Sequence, residues 1–477
     1  MGLAQHSIGL GFFAWFCLVP FLFIVDKLDS YSKIIKYFFV WGCTYNLTSL
    51  FWLSTNIGTH KIIAILLMVL TVLYLSTNII FIGVIWYRLK IYFNKYSIII
   101  FAIIWTCIEF IKSYGLLAFP WISISNTQID YFYLIQISEY VGIYGVTFWL
   151  VLINGLLYLV FKNYFSINSI SNYVVVFIVP FIIGYLIYNN LEEYDDDYQI
   201  SIIQPNINLE DSRDYSKRFE LLDDLIKSSL ESINDNSKLV IWPEAALPFN
   251  SIQDEYTLNY ITKRLLKKDD IAILSGDLVY EGDNTYNSTV LFNNKGVQEI
   301  YRKRYPVPFA EQVPLSDIFP KLKLVNVGVA NYSTGKENVV FNIDGQKFSS
   351  LICYESTFPG INRKHVKLGA DFITFLVNDA WYTTWPEPEQ HAKQSIYRAI
   401  ENRRSVIRCA NTGISLVIDP SGMIREKTNL NEKTTINTFV KKTNYITFYT
   451  KFGNVFVYIL LLLLGILLIM TFKKNEE

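Results

Sequence analysis

Apolar positions are distributed very unevenly along the chain. Before residue 190 and after residue 452 they form long runs with almost no charge, whereas the stretch between alternates short apolar segments with polar ones. About 20 apolar residues cross a bilayer as a helix, and roughly 17 suffice when the ends snorkel. The runs Ile8–Val25, Tyr37–Leu53, Ile62–Tyr87, Ser97–Ile111, Ile143–Phe161, Tyr173–Tyr188 and Val455–Phe472 meet or approach that length. This predicts an N-terminal transmembrane bundle of about six spans over residues 1–190 and a C-terminal transmembrane helix over 453–473.

Residues 198–450 read differently. Short β-branched runs predict strands at Gln199–Ile203, Lys238–Ile241, Ile271–Leu274, Thr289–Phe292, Phe348–Cys353, Phe372–Val377, Ser405–Cys409 and Ser415–Ile418. The 3.6-residue period predicts helices at Tyr215–Ile233, Tyr256–Leu266 and Gln390–Asn402. Some 250 residues of mixed strand and helix suit one α/β domain.

Charge adds an orientation. Lys27, Lys33 and Lys36 follow the first run, Arg88, Lys90 and Lys95 the third, Lys162 the fifth, and Lys473 and Lys474 the last. Basic loops stay cytoplasmic, so the aromatic loop 112–142, the acidic run Glu192, Glu193, Asp195–Asp197 and the α/β domain fall on the extracytoplasmic side. Glu109 lies at membrane depth near the end of its run, where a carboxylate is either functional or held by a partner such as Lys112. The overall balance of 42 basic and 42 acidic residues offers no basic surface for nucleic acid. Five cysteines, three of them in apolar runs, give no disulfide framework. The four histidines form no zinc spacing, and no glycine-rich phosphate loop follows a strand, so no metal or cofactor is expected.

Three segments carry candidate chemistry, each at the end of an apolar run, where open α/β sheets build their sites. In Trp242-Pro243-Glu244 the proline turns the chain and presents a carboxylate suited to general-base work. In Tyr301-Arg302-Lys303-Arg304-Tyr305, Lys303 could stabilise an oxyanion. Cys353, closing the run Leu351-Ile352 ahead of Tyr354-Glu355, suits a nucleophile held by a sheet. Each segment alone has a plain alternative: a turn glutamate, a solvated basic loop, a buried core thiol.

Together they resemble the nitrilase superfamily, with its Glu…Lys…Cys order and α-β-β-α sandwich. Membrane runs on both sides make the resemblance narrower, to the apolipoprotein N-acyltransferases. It extends over Phe119-Pro120-Trp121, Gln204-Pro205-Asn206-Ile207, Val307-Pro308-Phe309-Ala310-Glu311, Cys353-Tyr354-Glu355 and Asn378-Asp379-Ala380-Trp381. It continues through Arg398-Ala399-Ile400-Glu401, Arg408, Asn411, Gly413 and Asp419. Family members have seven spans before the catalytic domain. Six are counted here, which places Met1 outside; either a span lies upstream of this numbering or the first span has been lost. The family also carries a tryptophan soon after the Gln-Pro-Asn-Ile segment, and none stands between Gln204 and Trp242.

The resemblance implies an acyltransferase of the bacterial inner membrane with catalytic Glu244, Lys303 and Cys353. Glu311, Tyr354 and Glu355 support the site, and Trp381 and Trp385 are candidates for a lid over the substrate, with Arg213 a possible headgroup contact. An acyl chain would pass from a phospholipid to a Cys thioester, and then to the α-amine of a diacylglyceryl apolipoprotein. The alternative is a membrane-anchored nitrilase-type amidase acting on a small amide; a transporter with a binding domain is disfavoured, since the runs carry few charges apart from Glu109.

Overall fold

A computed structural model describes residues 1–192, 195–234, 236–247, 253–266, 271–315, 318–319, 321, 330–382 and 384–473. Glu193, Thr383 and Lys474, each part of a segment noted above, lie outside the described residues, as do the side chains of 195–197 and of Lys473. The chain divides into two compact units: residues 1–55, 62–191 and 451–477, and residues 56–61 with 192–450.

In the first unit, five helices are long and apolar enough to cross a membrane: Lys61–Tyr92, Asn94–Ile111, Ser138–Lys162, Ile167–Asn189 and Val455–Phe472. Large apolar side chains such as Ile62, Leu66, Ile182 and Leu462 stand outward on them, as expected where the surroundings are hydrocarbon. The run expected as Tyr37–Leu53 lies mostly in helix Tyr31–Leu50. The run expected as Ile8–Val25 is not one helix: a 3-10 turn, Gly11–Trp15, precedes a short helix, Val19–Val25. Pro20 sits in the first turn of the latter, where its missing N–H is harmless, but it cannot continue a helix from upstream.

Glu109 is not held by Lys112. Its carboxylate accepts from Trp105 Nε1 (3.4 Å), the Ile124 amide (3.0 Å), Thr147 Oγ1 (2.8 Å) and Ser123 Oγ. Four donors from three segments make it a structural tie, which is how a buried charge is tolerated.

The second unit is built on two six-stranded sheets. One contains β1 (Asp195–Gln204), β2 (Leu239–Ile241), β3 (Ala272–Glu281), β4 (Asn284–Asn293) and β5 (Gly296–Arg302). The other contains β6 (Phe341–Ile343), β7 (Gln346–Ile352), β8 (Phe372–Val377), β9 (Ser405–Ala410), β10 (Leu416–Ile418) and β11 (Ile424–Lys427). The last strand, β12 (Thr434–Lys442), returns to the first sheet, giving the orders β12-β1-β2-β3-β4-β5 and β11-β10-β9-β8-β7-β6. At the centre of each sheet the strands run parallel, β1-β2-β3 and β7-β8-β9. Of these, β2, β8 and β9 are buried throughout, which is why they read as continuous apolar runs rather than alternating ones.

The sheets meet face to face. Ser350 Oγ lies 3.3 Å from Thr289 Oγ1 across the interface, and Cys409 Sγ reaches the Ile203 carbonyl at 3.3 Å. Helices α1 (Arg218–Ser232) and α2 (Glu255–Leu265) cover the first sheet, burying Leu222, Leu225, Ile226 and Ile261 against Val240, Trp242 and Ile273. Helices α3 (Pro359–Lys367) and α4 (Glu387–Asn402) cover the second. The result is an α-β-β-α sandwich. The predicted helix Tyr215–Ile233 is split, because residues 215–217 form a 3-10 turn capped by Asp214.

One buried histidine predicts an acid sensitivity. His365 on α3 is wholly buried, its Nδ1–H donating to the Ile361 carbonyl at 2.9 Å, and burial pulls its pKa down to about 4. A histidine kept neutral in the fold but free to protonate when unfolded stabilises above its unfolded pKa. That contribution is lost as pH falls from about 6.5 towards 4, up to about 3 kcal/mol. The thermal midpoint of the wild-type protein should therefore drop between pH 7 and pH 5, and His365→Gln should flatten that drop. Parallel curves for the two proteins would sink the assignment.

Candidate active site

The chemistry-bearing residues converge at the carboxyl ends of the central strands. After β2, Trp242 is fully buried with its Nε1 bonded to Ser229 Oγ at 2.9 Å, and Pro243 then turns the chain so that Glu244 faces inward. The turn presses against β3 at Gly276, where an added Cβ would lie 2.6 Å from the Glu244 Cα; only glycine admits this approach. Lys303 follows β5 directly. Cys353 follows β7 and opens a 3-10 turn, Cys353–Thr357, so the strand ends one residue earlier than its apolar run suggested. Its φ of +50° is left-handed, a strained conformation for a residue with a Cβ, and it lifts the thiol out of the strand direction.

These three residues meet. The Cys353 thiol interacts electrostatically with the Glu244 carboxylate, and Lys303 Nζ lies 3.5 Å from Glu244 Oε1. Glu311 joins them, its Oε1 only 2.8 Å from Lys303 Nζ. Asn287, in the middle of β4, bridges the two carboxylates through Nδ2, at 2.8 Å to Glu244 and 3.0 Å to Glu311. The Asn378 amide donates to Glu244 Oε2 at 3.0 Å. Glu244 and Lys303 are almost completely buried, whereas Cys353 is partly accessible.

Electrostatics follow from that burial. Desolvation raises the Glu244 pKa, with Lys303 opposing the shift. Desolvation also raises the Cys353 thiol, and the Glu244 charge adds to this. For Lys303 burial acts against the charge, but Glu311 and Glu244 outweigh it and hold the ammonium protonated. The resting site is thus a protonated thiol beside a carboxylate and a fixed cation. Moving the thiol proton to Glu244 transfers negative charge to sulfur within reach of Lys303 and leaves the net charge of the cluster unchanged.

Glu355 is wholly buried and points away from the thiol. Its Oε1 accepts from Tyr301 OH (2.7 Å) and the amides of Arg304 (2.8 Å) and Tyr305 (3.2 Å), while its Oε2 accepts from the Ile352 amide (2.9 Å). It therefore ties the segment that carries Lys303 to the strand that carries Cys353. Glu355→Ala would strand several buried donors at about 1–3 kcal/mol each. The expected result is a thermal midpoint lowered by roughly ten degrees or more with activity lost, and a smaller change for Glu355→Gln. A midpoint unchanged in the alanine variant would refute the tie. Tyr354 is buried and packs edge-on against Phe358.

Trp385 is 42% exposed. The Trp381 carbonyl accepts from the Ile57 amide at 3.1 Å, and the Arg213 guanidinium lies 5.6 Å above the Trp381 ring.

Behind the nucleophile sits a second cluster. Asp379, after β8, accepts from Arg408 Nη2 at 2.8 Å and is 2.9 Å from His391 Nδ1 on α4. Gly413 makes room for it, since a Cβ there would meet Asp379 Oδ2 at 2.1 Å. Ligand atoms of Cys353, Asp379 and His391 lie within 4.8 Å of one another. Asp379 and His391 are already engaged by hydrogen bonds. Sequence reading missed Asn287 and His391: one interrupts a strand and the other falls in a helix rich in polar residues, and neither follows an apolar run.

Comparison with known proteins gives a consistent pattern. Residues 1–156 match the family model described as apolipoprotein N-acyltransferase N-terminal domain, and residues 199–443 match that for carbon-nitrogen hydrolase. The apolipoprotein N-acyltransferase of Chlorobaculum tepidum is 28% identical over 491 aligned residues, covering 95% of this chain and 90% of the relative. That of Rickettsia prowazekii is 30% identical over 447, covering 91% and 88%.

Proposed function

The chain belongs to the apolipoprotein N-acyltransferase family, and from that premise we propose that it transfers an acyl chain from a phospholipid, through a thioester on Cys353, to the α-amine of a diacylglyceryl-cysteine at the head of an apolipoprotein. The observation that carries this reading is the cluster of Cys353, Glu244 and Lys303, a thiol that feels the charge of a buried carboxylate with an ammonium alongside.

In the first half-reaction Glu244 takes the Cys353 proton as sulfur attacks the ester carbonyl. Lys303 stabilises the resulting oxyanion, a contribution of about 3 kcal/mol for one well-placed donor. The tetrahedral intermediate collapses, the C–O bond breaks, and Glu244 returns the proton to the departing lysophospholipid hydroxyl. In the second half-reaction the amine attacks the thioester carbonyl and loses a proton to Glu244. The C–S bond then breaks and Cys353 regains its proton. Glu311 holds Lys303 in place and, with Asn287, restrains Glu244.

Donor and acceptor are both lipid-anchored, and moving acyl chains through water would cost roughly 0.8 kcal/mol per CH₂. An enzyme carried on membrane helices avoids that cost. The pattern of basic loops supports a catalytic unit on the extracytoplasmic side of the bacterial inner membrane.

The test supplies the purified protein with labelled phospholipid and a diacylglyceryl-cysteine peptide. Label appearing in amide linkage on the peptide is the expected result. Release of ammonia from small amides, with no peptide acylation, would favour a membrane-anchored amidase instead.

A further inference from the structure

His391 belongs to none of the groups that handle the acyl chain, yet it is completely buried and aimed at the nucleophile's own peptide. Its Nδ1 lies 2.9 Å from Asp379 Oδ1, and its Nε2 lies 3.2 Å from the Cys353 carbonyl oxygen and 3.1 Å from Ser356 Oγ. Ser356 Oγ in turn donates to the same carbonyl at 2.8 Å. The Cys353 carbonyl thus accepts from Ser356 and has His391 Nε2 within donating distance, at a residue whose φ of +50° is held against its intrinsic preference. Asp379 is itself fixed by Arg408 at 2.8 Å, and the Glu387 carboxylate approaches His391 Nδ1 at 3.8 Å on the same helix.

We propose that His391, anchored on Asp379, is a positioning residue for acyl transfer that grips the Cys353 carbonyl and so fixes the left-handed turn presenting the thiol to Glu244 and Lys303.

The arrangement of donors and acceptors supports this. A carbonyl oxygen only accepts, so the 3.2 Å contact is productive only when Nε2 carries a proton. A neutral ring whose single proton faces Asp379 turns a lone pair towards the carbonyl. It can then accept only from Ser356, which must give up its own bond to Cys353. A ring protonated at Nε2 leaves Ser356 free to donate as well, and the carbonyl keeps both donors. The elbow is therefore held most firmly when His391 donates from Nε2. A strained turn needs such over-determination, since an unsupported one relaxes and carries the sulfur with it. A displacement of about 1 Å at a reacting atom can cost roughly 10²-fold in rate.

This inference deepens the acyl-transfer reading and rests on it, so the test includes a readout that needs no lipid. Asparagine can reproduce the Nδ1 position of histidine, and glutamine the Nε2 position. His391→Gln should retain the grip on Cys353 and lose Asp379, whereas His391→Asn should do the reverse. Two rates are measured in the full-length protein: acylation of Cys353 by phospholipid, followed by intact mass, and alkylation of Cys353 by iodoacetamide, followed by peptide mass. His391→Ala and His391→Asn are expected to acylate roughly 10²-fold more slowly, with the phospholipid KM unchanged and alkylation slowed in parallel. His391→Gln should recover much of both rates. An asparagine variant as fast as or faster than glutamine, or an alanine variant at the wild-type rate, would overturn the proposal. If the alanine variant does not fold, the asparagine and glutamine comparison decides. If wild-type protein takes up no acyl group at all, the transfer reading fails, and the alkylation series alone judges the role of His391.

Discussion

Incubated with phospholipid, Cys353→Ala should gain no acyl mass, while wild-type protein gains a hydroxylamine-labile adduct on that residue. Removing the nucleophile of a covalent enzyme costs on the order of 10⁶-fold in kcat, so the variant should read as inactive. The alanine change is also a clean one. Cys353 is partly accessible rather than filling the core, so the fold should survive and the thermal midpoint should hardly move. Cys353→Ser is the informative companion. A hydroxyl is a far weaker nucleophile than a thiol at the same position, and a single buried carboxylate is a poor base for it. The serine variant should bind phospholipid and acylate slowly, leaving an oxygen ester that resists hydroxylamine under conditions that cleave the thioester. An equal adduct on the alanine variant would remove Cys353 from the mechanism.

The second large effect is expected from Lys303→Met, and it has two parts. The ammonium sits 2.8 Å from Glu311 and 3.5 Å from Glu244, with both Lys303 and Glu244 almost fully buried. Breaking a buried ion pair by removing one partner costs about 3–5 kcal/mol, because the remaining charge is left without compensation. Loss of an oxyanion donor should lower acyl transfer by roughly 10²–10³-fold besides. The stability loss should depend on pH in a definite direction. Burial already raises the Glu244 pKa against the opposing charge of Lys303, so without Lys303 its folded-state pKa stands further above the unfolded value. A carboxylate raised in this way stabilises below its unfolded pKa, and that stability is lost as pH rises through the folded pKa. The gap in thermal midpoint between Lys303→Met and wild type should therefore be widest near pH 8 and narrow towards pH 5. A gap that stays constant over that range would mean that the carboxylates do not feel the lysine.

Much of this was legible in the chain, for a specific physical reason. Parallel central strands are buried on both faces, so they appear as uninterrupted apolar runs, and the residue that ends such a run is carried to the mouth of the sheet. Glu244 and Cys353 follow that rule, whereas Lys303 follows β5, an antiparallel edge strand that is largely exposed. Asn287 does not, because it occupies the interior of β4, and its partners are set by a neighbouring strand and a loop more than twenty residues away. His391 was hidden for a related reason. It lies in a helix with Glu387, Glu389, Gln390, Lys393 and Gln394, whose composition suggests a solvated surface, yet most of that helix is buried. Its role depends on Asp379 and Cys353, which precede it by 12 and 38 residues. The resemblance makes Glu355 a supporting residue, and its bonds to Tyr301, Arg304 and Ile352 make it a brace between two segments; spacing alone cannot distinguish a brace from a reactant.

The pairing of β1 with β12 has a consequence for how such a protein could arise. The first strand of the catalytic unit lies antiparallel to its last, with Asp195 opposite Lys442, so the chain enters and leaves this unit through adjacent backbones. A module whose two ends emerge together can be spliced into a loop of another protein without prying either apart. The same closure staples the module. Pulling its two ends apart would load the β1–β12 hydrogen bonds one after another, as a zipper opens, whereas force applied elsewhere would be shared across a sheet. Grafting the segment between these strands into an unrelated membrane hairpin is then a reasonable engineering step, and the short connectors on either side of β1 and β12 are the places to cut.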